Sequence, residues 1–322
     1  MRTIAIEEHF LTASYQAAME NISGGKNPRP YINAVSQKLL DLGAGRLADM
    51  DAAGIDMQVL SLPGIGLDKL DPATGTALAH DCNDALAVAV RMHPERFAGF
   101  ALLAMQDPEA AAAELERCVN RLGFRGVMIS GTINGQFLDN PIFQPVLAQA
   151  EKLGVPIYLH PAPPPAEIYQ VYFSQLPPRV GEALSTAGWG WHVENGLHSL
   201  RLVAAGVFDR FPKLQIIIGH MGENIPFSLI RSQERLSQTT GYLQRGIGEY
   251  FQTNFHITTS GYFTLPPLLC ALMVFGADRI LFAVDYPYSP SVSGRNLLNT
   301  APLSRVDLEK IAHRNAEQLL KL

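Results

Sequence analysis

Charged residues, cysteines and long apolar runs are all scarce in this sequence of 322 residues. Charged residues make up 17% of the chain and hydrophobic residues 47%, whereas charged residues form roughly a quarter of an average soluble protein. This composition excludes disorder, because the chain has ample apolar surface to bury. It predicts that much surface is buried inside the fold or between subunits, and we expect a homo-oligomer, either a dimer or a tetramer.

The charge balance gives no sign of a polyanionic partner. The sequence has 25 lysines and arginines against 30 aspartates and glutamates, for a net charge of −5. It therefore shows neither the excess of basic residues typical of a nucleic-acid-binding protein nor a run of basic residues that would bind a membrane surface. The apolar stretch at residues 265–277 contains prolines and is shorter than the roughly 18 residues that a membrane span requires. We therefore expect no membrane association and a small-molecule partner.

Cysteine usage and the first residues bear on the compartment. Cys82, Cys118 and Cys270 lie far apart and form no C-x-x-C pair, so they predict neither a disulfide framework nor a zinc knuckle. After Arg2 the chain passes through Thr3 into residues 4–9, without the apolar core of a signal peptide. The expected location is the reducing cytoplasm.

Short β-rich runs alternate with amphipathic helical stretches along the whole chain. The eight runs are residues 3–9, 57–62, 97–103, 126–130, 156–160, 214–220, 255–260 and 280–285. Strands that are apolar nearly throughout predict a parallel sheet covered by helices, and eight units predict one (β/α)8 TIM-type barrel domain over residues 1–322. An open doubly wound sheet is the alternative, but no G-x-G-x-x-G or P-loop motif supports it.

Two long connections and several strand ends locate the functional face. The connections at residues 10–36 and 161–194 follow the first and fifth strands, so in a barrel they lie over the carboxyl ends of the strands. Their aromatic residues predict either a pocket for a flat ring or a subunit interface: Tyr31, Tyr169, Tyr172, Phe173, Trp189 and Trp191. His192 and His198 reach that pocket only if the second connection folds back.

Ligand-type side chains stand at the carboxyl ends of four predicted strands. They are Glu7 and His9 on the first strand, His160 on the fifth, His220 on the sixth and Asp285 on the eighth. Glu7 and His9 are two residues apart and therefore point to the same side of the strand, while Glu8 points to the other. Each residue alone has a structural interpretation, as a hydrogen-bonded histidine, a salt bridge or a turn cap. Together, Glu7, His9, His160 and Asp285 predict a site for one divalent cation, Mn²⁺ or Zn²⁺.

These strand ends also carry a resemblance to a known family. The segments AIEEHF (5–10), YLHP (158–161), IGHMGE (218–223), TTSG (258–261) and ILFAVDYPY (280–288) resemble the amidohydrolase superfamily. Within it they are similar to the branch of metal-dependent aromatic acid decarboxylases such as γ-resorcylate and 5-carboxyvanillate decarboxylases. The resemblance implies that His220 and Glu223 form an acid/base pair beside the metal and that Arg231 lies near the substrate.

Two departures from the hydrolytic relatives favour one metal and decarboxylation. Glu7 stands where those relatives carry the first histidine of H-x-H, and residues 126–130 contain no bridging lysine. The predicted function is non-oxidative decarboxylation of an ortho-hydroxylated aromatic acid, with Asp285 protonating the ring carbon. The alternatives are a metal-dependent hydrolase of a lactone or amide, which uses metal-activated water, and a non-catalytic binding barrel.

Overall fold

The structure, a computed structural model, describes residues 1–22 and 30–322, and the side chains of residues 1–22 and 35–322. Neighbouring strands pair in parallel throughout. The strands are β1 (Ile4–His9), β2 (Met57–Ser61), β3 (Phe97–Gly99), β4 (Ala101–Leu102), β5 (Val127–Ser130), β6 (Ile157–His160), β7 (Ile216–Ile218), β8 (Phe255–Thr258) and β9 (Ile280–Leu281). The third predicted strand is thus divided into β3 and β4 around Phe100.

Helices connect the strands, as the alternating pattern predicts. They are α1 (Ala13–Ile22), α2 (Pro30–Leu40), α3 (Ala44–Ala53), α4 (Pro72–Met92), α5 (Pro108–Leu122), α6 (Gln144–Leu153), α7 (Ala166–Tyr172), α8 (Pro178–Ser185), α9 (Gly190–Ala204), α10 (Val207–Arg210), α11 (Ile225–Leu236), α12 (Ile247–Asn254), α13 (Leu265–Phe275), α14 (Ser291–Thr300), α15 (Arg305–Glu309) and α16 (Asn315–Leu320). At the start of helix α5 the Asp107 side chain accepts from the Ala110 N–H, and Pro108 occupies the first turn. None of the described helices is both long and apolar enough to span a membrane.

Two apolar layers hold the sheet and the helices together. Alternate strand residues such as Ile4, Ile6, Val59 and Tyr158 belong to a buried cluster that also includes Ile217. Their neighbours along the strands belong to a larger buried cluster that includes the helices. This division into two clusters follows from the twofold alternation of side chains along a strand.

The strands form a three-stranded sheet, β1-β2-β3, and a six-stranded sheet, β4-β5-β6-β7-β8-β9, rather than one uninterrupted ring. Backbone hydrogen bonds nevertheless join β1 to the segment after β9, which we call the seam (residues 282–286 against β1). The Ile6 N–H donates to the Phe282 carbonyl at 3.2 Å, the Asp285 N–H to the Glu7 carbonyl at 2.9 Å, and the His9 N–H to the Tyr286 carbonyl at 2.7 Å.

The predicted strands are all somewhat shorter in the structure, and the sixth and the last differ most from their predicted lengths. The last one ends at Leu281 instead of Asp285, because the next backbone donors bond elsewhere: the Phe282 N–H donates to the Ile311 carbonyl, the Ala283 N–H to Thr259 Oγ1 and the Val284 N–H to Glu8 Oε1. The sixth ends at Ile218 instead of His220, whose N–H donates to Ser260 Oγ at 2.9 Å. These side chains take the place of the partners that a neighbouring strand would supply.

A buried ionic network holds the seam on the side away from the candidate site. The Glu8 carboxylate accepts from the N–H groups of Val284 at 2.8 Å and Tyr286 at 3.3 Å. The Arg46 guanidinium, fully buried, donates to the His9 carbonyl at 2.7 Å and lies over the Tyr286 ring. This network fixes the backbone on both sides of Asp285 and at His9.

We predict that Arg46→Met lowers the free energy of unfolding by about 3 kcal/mol, because removing one partner of a buried charged network leaves the other groups unsatisfied. Arg46 also donates to the Asp41 and Lys38 carbonyls and to Gln58 Oε1. Urea denaturation measures the change. The matched control is Arg305→Met, whose side chain is 91% exposed, and we expect it to stay within about 0.5 kcal/mol of the parent. Equal stability of the two variants would contradict the role of the network.

Candidate metal centre and active site

Five of the predicted site residues converge at the carboxyl end of the strands. His9 and His160 are the last residues of β1 and β6, and Glu7 lies on β1. The Oε1 atom of Glu7 lies 3.9 Å from Nε2 of His9, 3.6 Å from Nε2 of His160 and 3.7 Å from Nε2 of His220. Asp285 places Oδ1 3.1 Å from Nε2 of His9 and Oδ2 3.9 Å from Nε2 of His220.

The other oxygen of Glu7 is held from inside the barrel. Its Oε2 accepts from the Tyr158 hydroxyl and, at 3.3 Å, from Thr258 Oγ1. Gly219 leaves room for it, since a Cβ at that position would lie 2.9 Å from Oε2. Glu7 therefore has one oxygen fixed by hydroxyl groups and one directed at the histidines.

The Nδ1 contacts of two histidines orient their rings, and the contact of His160 also fixes its tautomer. His160 Nδ1 lies 2.7 Å from the Pro161 carbonyl, so it must carry the proton and leave a lone pair on Nε2. Burial, with His9 and His220 nearby, lowers the pKa of His160 to about 3. His9 Nδ1 lies 3.4 Å from Ser61 Oγ, which leaves its Nε2 facing the cluster. Both rings can act as neutral metal ligands, oriented through their other nitrogen.

The donor atoms fit a divalent cation. Glu7 Oε1 and His9 Nε2 are buried and have no hydrogen-bond partner, although such groups are normally satisfied. Burial also raises the pKa of Glu7, so its carboxylate needs a positive partner. Glu7, His9 and His160 lie close enough for shared coordination. Imidazole nitrogens with carboxylate oxygens suit Mn²⁺ or Zn²⁺.

His220 and Glu223, the predicted acid/base pair, lie beside this cluster in direct contact. His220 Nδ1 is 2.7 Å from Glu223 Oε1, and Nε2 faces Glu7 and Asp285. Burial alone would lower the pKa of His220, but the carboxylates of Glu223 and Glu7 raise it well above its ordinary value. Burial would likewise raise the pKa of Glu223, yet His220 and His192 bring it to about 2. His220 can therefore hold a proton at the site.

Two further buried groups act on the site: sequence reasoning missed Tyr158 and made the position of His192 conditional. Tyr158 lies two residues before His160 on β6, so the strand parity used for Glu7 and His9 could have indicated it. His192 was expected at the pocket only if the connection after β6 folds back. It does fold back, and His192 Nδ1 lies 2.6 Å from Glu223 Oε2. His198 lies away from this pair and accepts from the Leu138 N–H.

Arg231, the predicted substrate contact, is not brought to the cluster within its own chain. It lies on α11 with 65% of its side chain exposed, and its guanidinium is 3.8 Å from Glu234. Its role near the substrate stays a prediction.

A cavity of about 560 Å³ opens on the same face. It is lined by the segments that follow β2, β4, β5 and β6, including Ser130, whose Oγ lies 3.4 Å from His160 Nδ1. Among the predicted pocket aromatics, the Trp191 ring lies 6.3 Å from the His160 ring. Tyr172 and Trp189 are exposed, Phe173 is buried against Tyr169 and Tyr172, and the Tyr31 side chain lies outside the described residues.

Parallel β/α architecture with histidines and carboxylates at the strand ends defines a class of metal-assisted barrel enzymes. The amidohydrolase family profile matches residues 37–322. The chain belongs to the amidohydrolase family.

Within this family, the chain is similar to several named decarboxylases. It is 38% identical to the γ-resorcylate decarboxylase of Rhizobium sp. strain MTP-10005, over 99% of this chain and 98% of that protein. Among solved structures, 5-carboxyvanillate decarboxylase from Sphingomonas paucimobilis superposes with a TM-score of 0.93 at 34% identity, covering 100% of this chain and 99% of that one. Dihydroxybenzoic acid decarboxylase from Polaromonas sp. JS666, with bound manganese and the inhibitor 2-nitroresorcinol, gives 0.89 at 37% identity, with 100% and 97% coverage. The resemblance to this branch and the predicted barrel fold are confirmed.

We predict that Mn²⁺ raises the melting temperature of chelator-treated protein, because a ligand that binds only the folded state stabilises it by about 2.7 kcal/mol at 100 times its Kd. His160→Asn should lose most of that shift, since the ring supplies a donor atom at the cluster. Differential scanning fluorimetry against Mn²⁺ concentration measures both. His313→Asn, on the C-terminal segment and paired with Glu317, is the control and should keep the shift. A full shift in His160→Asn would remove His160 from the ligand set.

Proposed function

We propose that this chain is a metal-dependent, non-oxidative decarboxylase of an ortho-hydroxylated aromatic carboxylic acid, with residues 1–322 as one catalytic domain. The main observation behind this proposal is that Glu7, His9, His160 and Asp285 lie together at the mouth of the barrel. The Oε1 atom of Glu7 is buried there and has no hydrogen-bond partner. The relatives named above are decarboxylases of such acids, and one was solved with manganese. Strand β5 (Val127–Ser130) contains no lysine that could bridge two metals, which supports a single ion.

Glu7, His9, His160 and Asp285 would hold the ion. When bound, it would act as a Lewis acid toward the substrate carboxylate and the neighbouring hydroxyl oxygen. The side chains contribute orientation, since a substrate fixed at this mouth presents its carboxyl-bearing ring carbon to Asp285.

Asp285 is the proposed proton donor to the ring. Burial alone would raise the pKa of Asp285, but the imidazoles of His220 and His9, whose Nε2 atoms lie 3.9 Å and 3.1 Å from its carboxylate oxygens, hold that pKa well below its usual range. Asp285 is therefore ionised in the free protein and must collect a proton from the substrate hydroxyl on binding. It then transfers this proton to the carboxyl-bearing carbon.

Loss of carbon dioxide after this proton transfer needs no oxidant or reductant. Protonation interrupts the aromatic system, and the carbon–carbon bond to the carboxylate then breaks. Its electron pair restores the ring, carbon dioxide leaves, and the substrate oxygen that lost its proton regains one. His220, which faces Asp285 and is held by Glu223, can supply that proton.

The hydrolytic alternative is not favoured. A lactone or amide hydrolase would use the same residues with activated water, but the relatives named above carry out decarboxylation. Glu7 in place of a histidine and the absence of a lysine on β5 also separate this chain from hydrolases with two metals.

We predict that Asp285→Asn binds Mn²⁺ but lowers kcat by about 10³-fold, within the range of general-acid contributions. The assay follows carbon dioxide release from 2,6-dihydroxybenzoate, 5-carboxyvanillate and other ortho-hydroxybenzoates, with 3-hydroxybenzoate as the substrate lacking the ortho hydroxyl. Asp278→Asn, at an exposed pair with Lys310, is the matched control with parent activity. An Asp285→Asn enzyme with parent kcat would remove Asp285 as donor. Absence of turnover for the whole panel with metal bound would overturn decarboxylation.

We also propose a cytoplasmic homo-oligomer. The three cysteines are free, as expected in a reducing compartment. Helices α11 and α13 pack against each other and leave large apolar side chains outside: Phe227 and Met273 are 91% and 88% exposed, and Ile230 and Leu269 accompany them. Clustered exposure of this kind marks an interface, and burial between copies fits the low charge fraction. Dimer and tetramer both satisfy this arrangement.

The expected result of replacing both Phe227 and Met273 by serine is dissociation to monomers, because the two side chains supply much of the apolar area on this surface. Analytical ultracentrifugation of the parent should give a dimer or tetramer. The control Val306→Ser removes an apolar side chain that is 54% exposed on α15 and should leave the assembly unchanged. A monomeric parent would refute the proposal.

A further inference from the structure

The turn that carries His220 and Glu223 has an unusual backbone. Five consecutive residues, from His220 to Asn224, have positive φ angles between 48° and 86°. Gly222 adopts such angles freely, but the four residues with side chains do so against steric repulsion. A backbone of this kind persists only where its surroundings determine it, and such sites concentrate at functional centres.

One face of helix α9 supplies those surroundings. His192, Asn195 and Gly196 are spaced at i, i+3 and i+4, so they lie on the same side of the helix. His192 Nδ1 lies 2.6 Å from Glu223 Oε2, and Asn195 Nδ2 donates to Glu223 Oε1 at 3.3 Å. Gly196 allows the close approach, since a Cβ there would lie 2.7 Å from the Glu223 carbonyl oxygen.

His192 is itself fixed from both ends. Its Nε2 lies 3.1 Å from the Ala187 carbonyl, while Nδ1 faces Glu223. The ring is buried and packs edge-on against Tyr262. Because the ring cannot turn without losing both contacts, it holds Glu223 Oε2 in one place, which leaves Oε1 directed at His220 Nδ1.

The same face also contacts the strand that ends in His160, a proposed metal ligand. The Asn195 side chain donates to the Leu159 carbonyl at 2.9 Å, and Leu159 directly precedes His160 on β6. One helix therefore contacts both the strand that ends in His160 and the turn that carries His220.

We propose that His192 is a positioning residue, assisted by Asn195, which holds Glu223 so that His220 keeps its Nε2 directed at the reacting centre. This inference rests on the proposed function for the role of His220. It adds to that function a residue that acts on His220 through Glu223. The hydrogen bond from Nδ1 to Glu223 is the feature that carries the role.

The test uses two substitutions at position 192. His192→Leu removes the donor and keeps an apolar side chain, whereas in His192→Asn an amide N–H can occupy the place of Nδ1. In His192→Leu we expect kcat to fall about 10-fold to 100-fold with KM within about threefold, and Mn²⁺ stoichiometry kept, because outer partners of site residues typically contribute at this level. His192→Asn should recover most of the loss.

A second readout does not depend on turnover. Hydrogen–deuterium exchange, followed by mass spectrometry on the Mn²⁺-loaded full chain, reports the opening of residues 219–224. We expect faster exchange there in His192→Leu and near-parent exchange in His192→Asn. If the parent decarboxylates none of the acids, the proposed function fails, and this readout still tests the positioning role.

His198→Asn is the matched control. His198 lies on the same helix and is also buried, but it bonds the Leu138 N–H away from the site. It should keep the parent kcat and the parent exchange at residues 219–224, even if its melting temperature falls. Parent kcat in His192→Leu, an equal loss in His192→Asn, or the same loss in His198→Asn would each overturn the proposal.

Discussion

The carboxylate of Glu7 connects the interior of the barrel to its mouth. One oxygen is bound by the hydroxyls of Tyr158 and Thr258 inside the barrel, and the other lies among three histidine Nε2 atoms without a hydrogen bond. A buried charge of this kind is stable only beside compensating positive charge. The site is therefore built to bind a cation, and the histidines that surround this oxygen are oriented through their other ring nitrogen.

Three consecutive residues of β1 point alternately to opposite sides of the strand, and the two sides make different contacts. Glu7 and His9 face the cluster, whereas Glu8 turns to the other side and bonds the backbone N–H groups of Val284 and Tyr286. Asp285 stands between these two residues with a positive φ of 72°. The seam that joins β1 to the end of the sheet is therefore also the device that places Asp285 opposite His9.

The third element of the site comes from outside the strands. Helix α9, in the long connection after β6, holds the left-handed turn that carries His220 and Glu223 through His192 and Asn195. Connections at this face of a barrel can vary while the strands keep their packing. A residue such as His192 can thus adjust the proposed acid/base pair without altering the proposed metal ligands.

The sequence alone determined the alternation of strands and helices, and with it the fold class. It also determined that His9 and His160 end the first and fifth strands. The twofold period of a strand further placed Glu7 and His9 on the same side. It overestimated the sixth and last strands, since side chains of Ser260, Thr259 and Glu8 take backbone donors that a ladder would otherwise use.

Only the tertiary structure decided the distances among strand ends, the contact of His192 with Glu223 and the exposure of Arg231. These depend on how distant segments fold against each other. Local periodicity reports which side of an element a residue faces, and it carries no information on which distant group that residue meets.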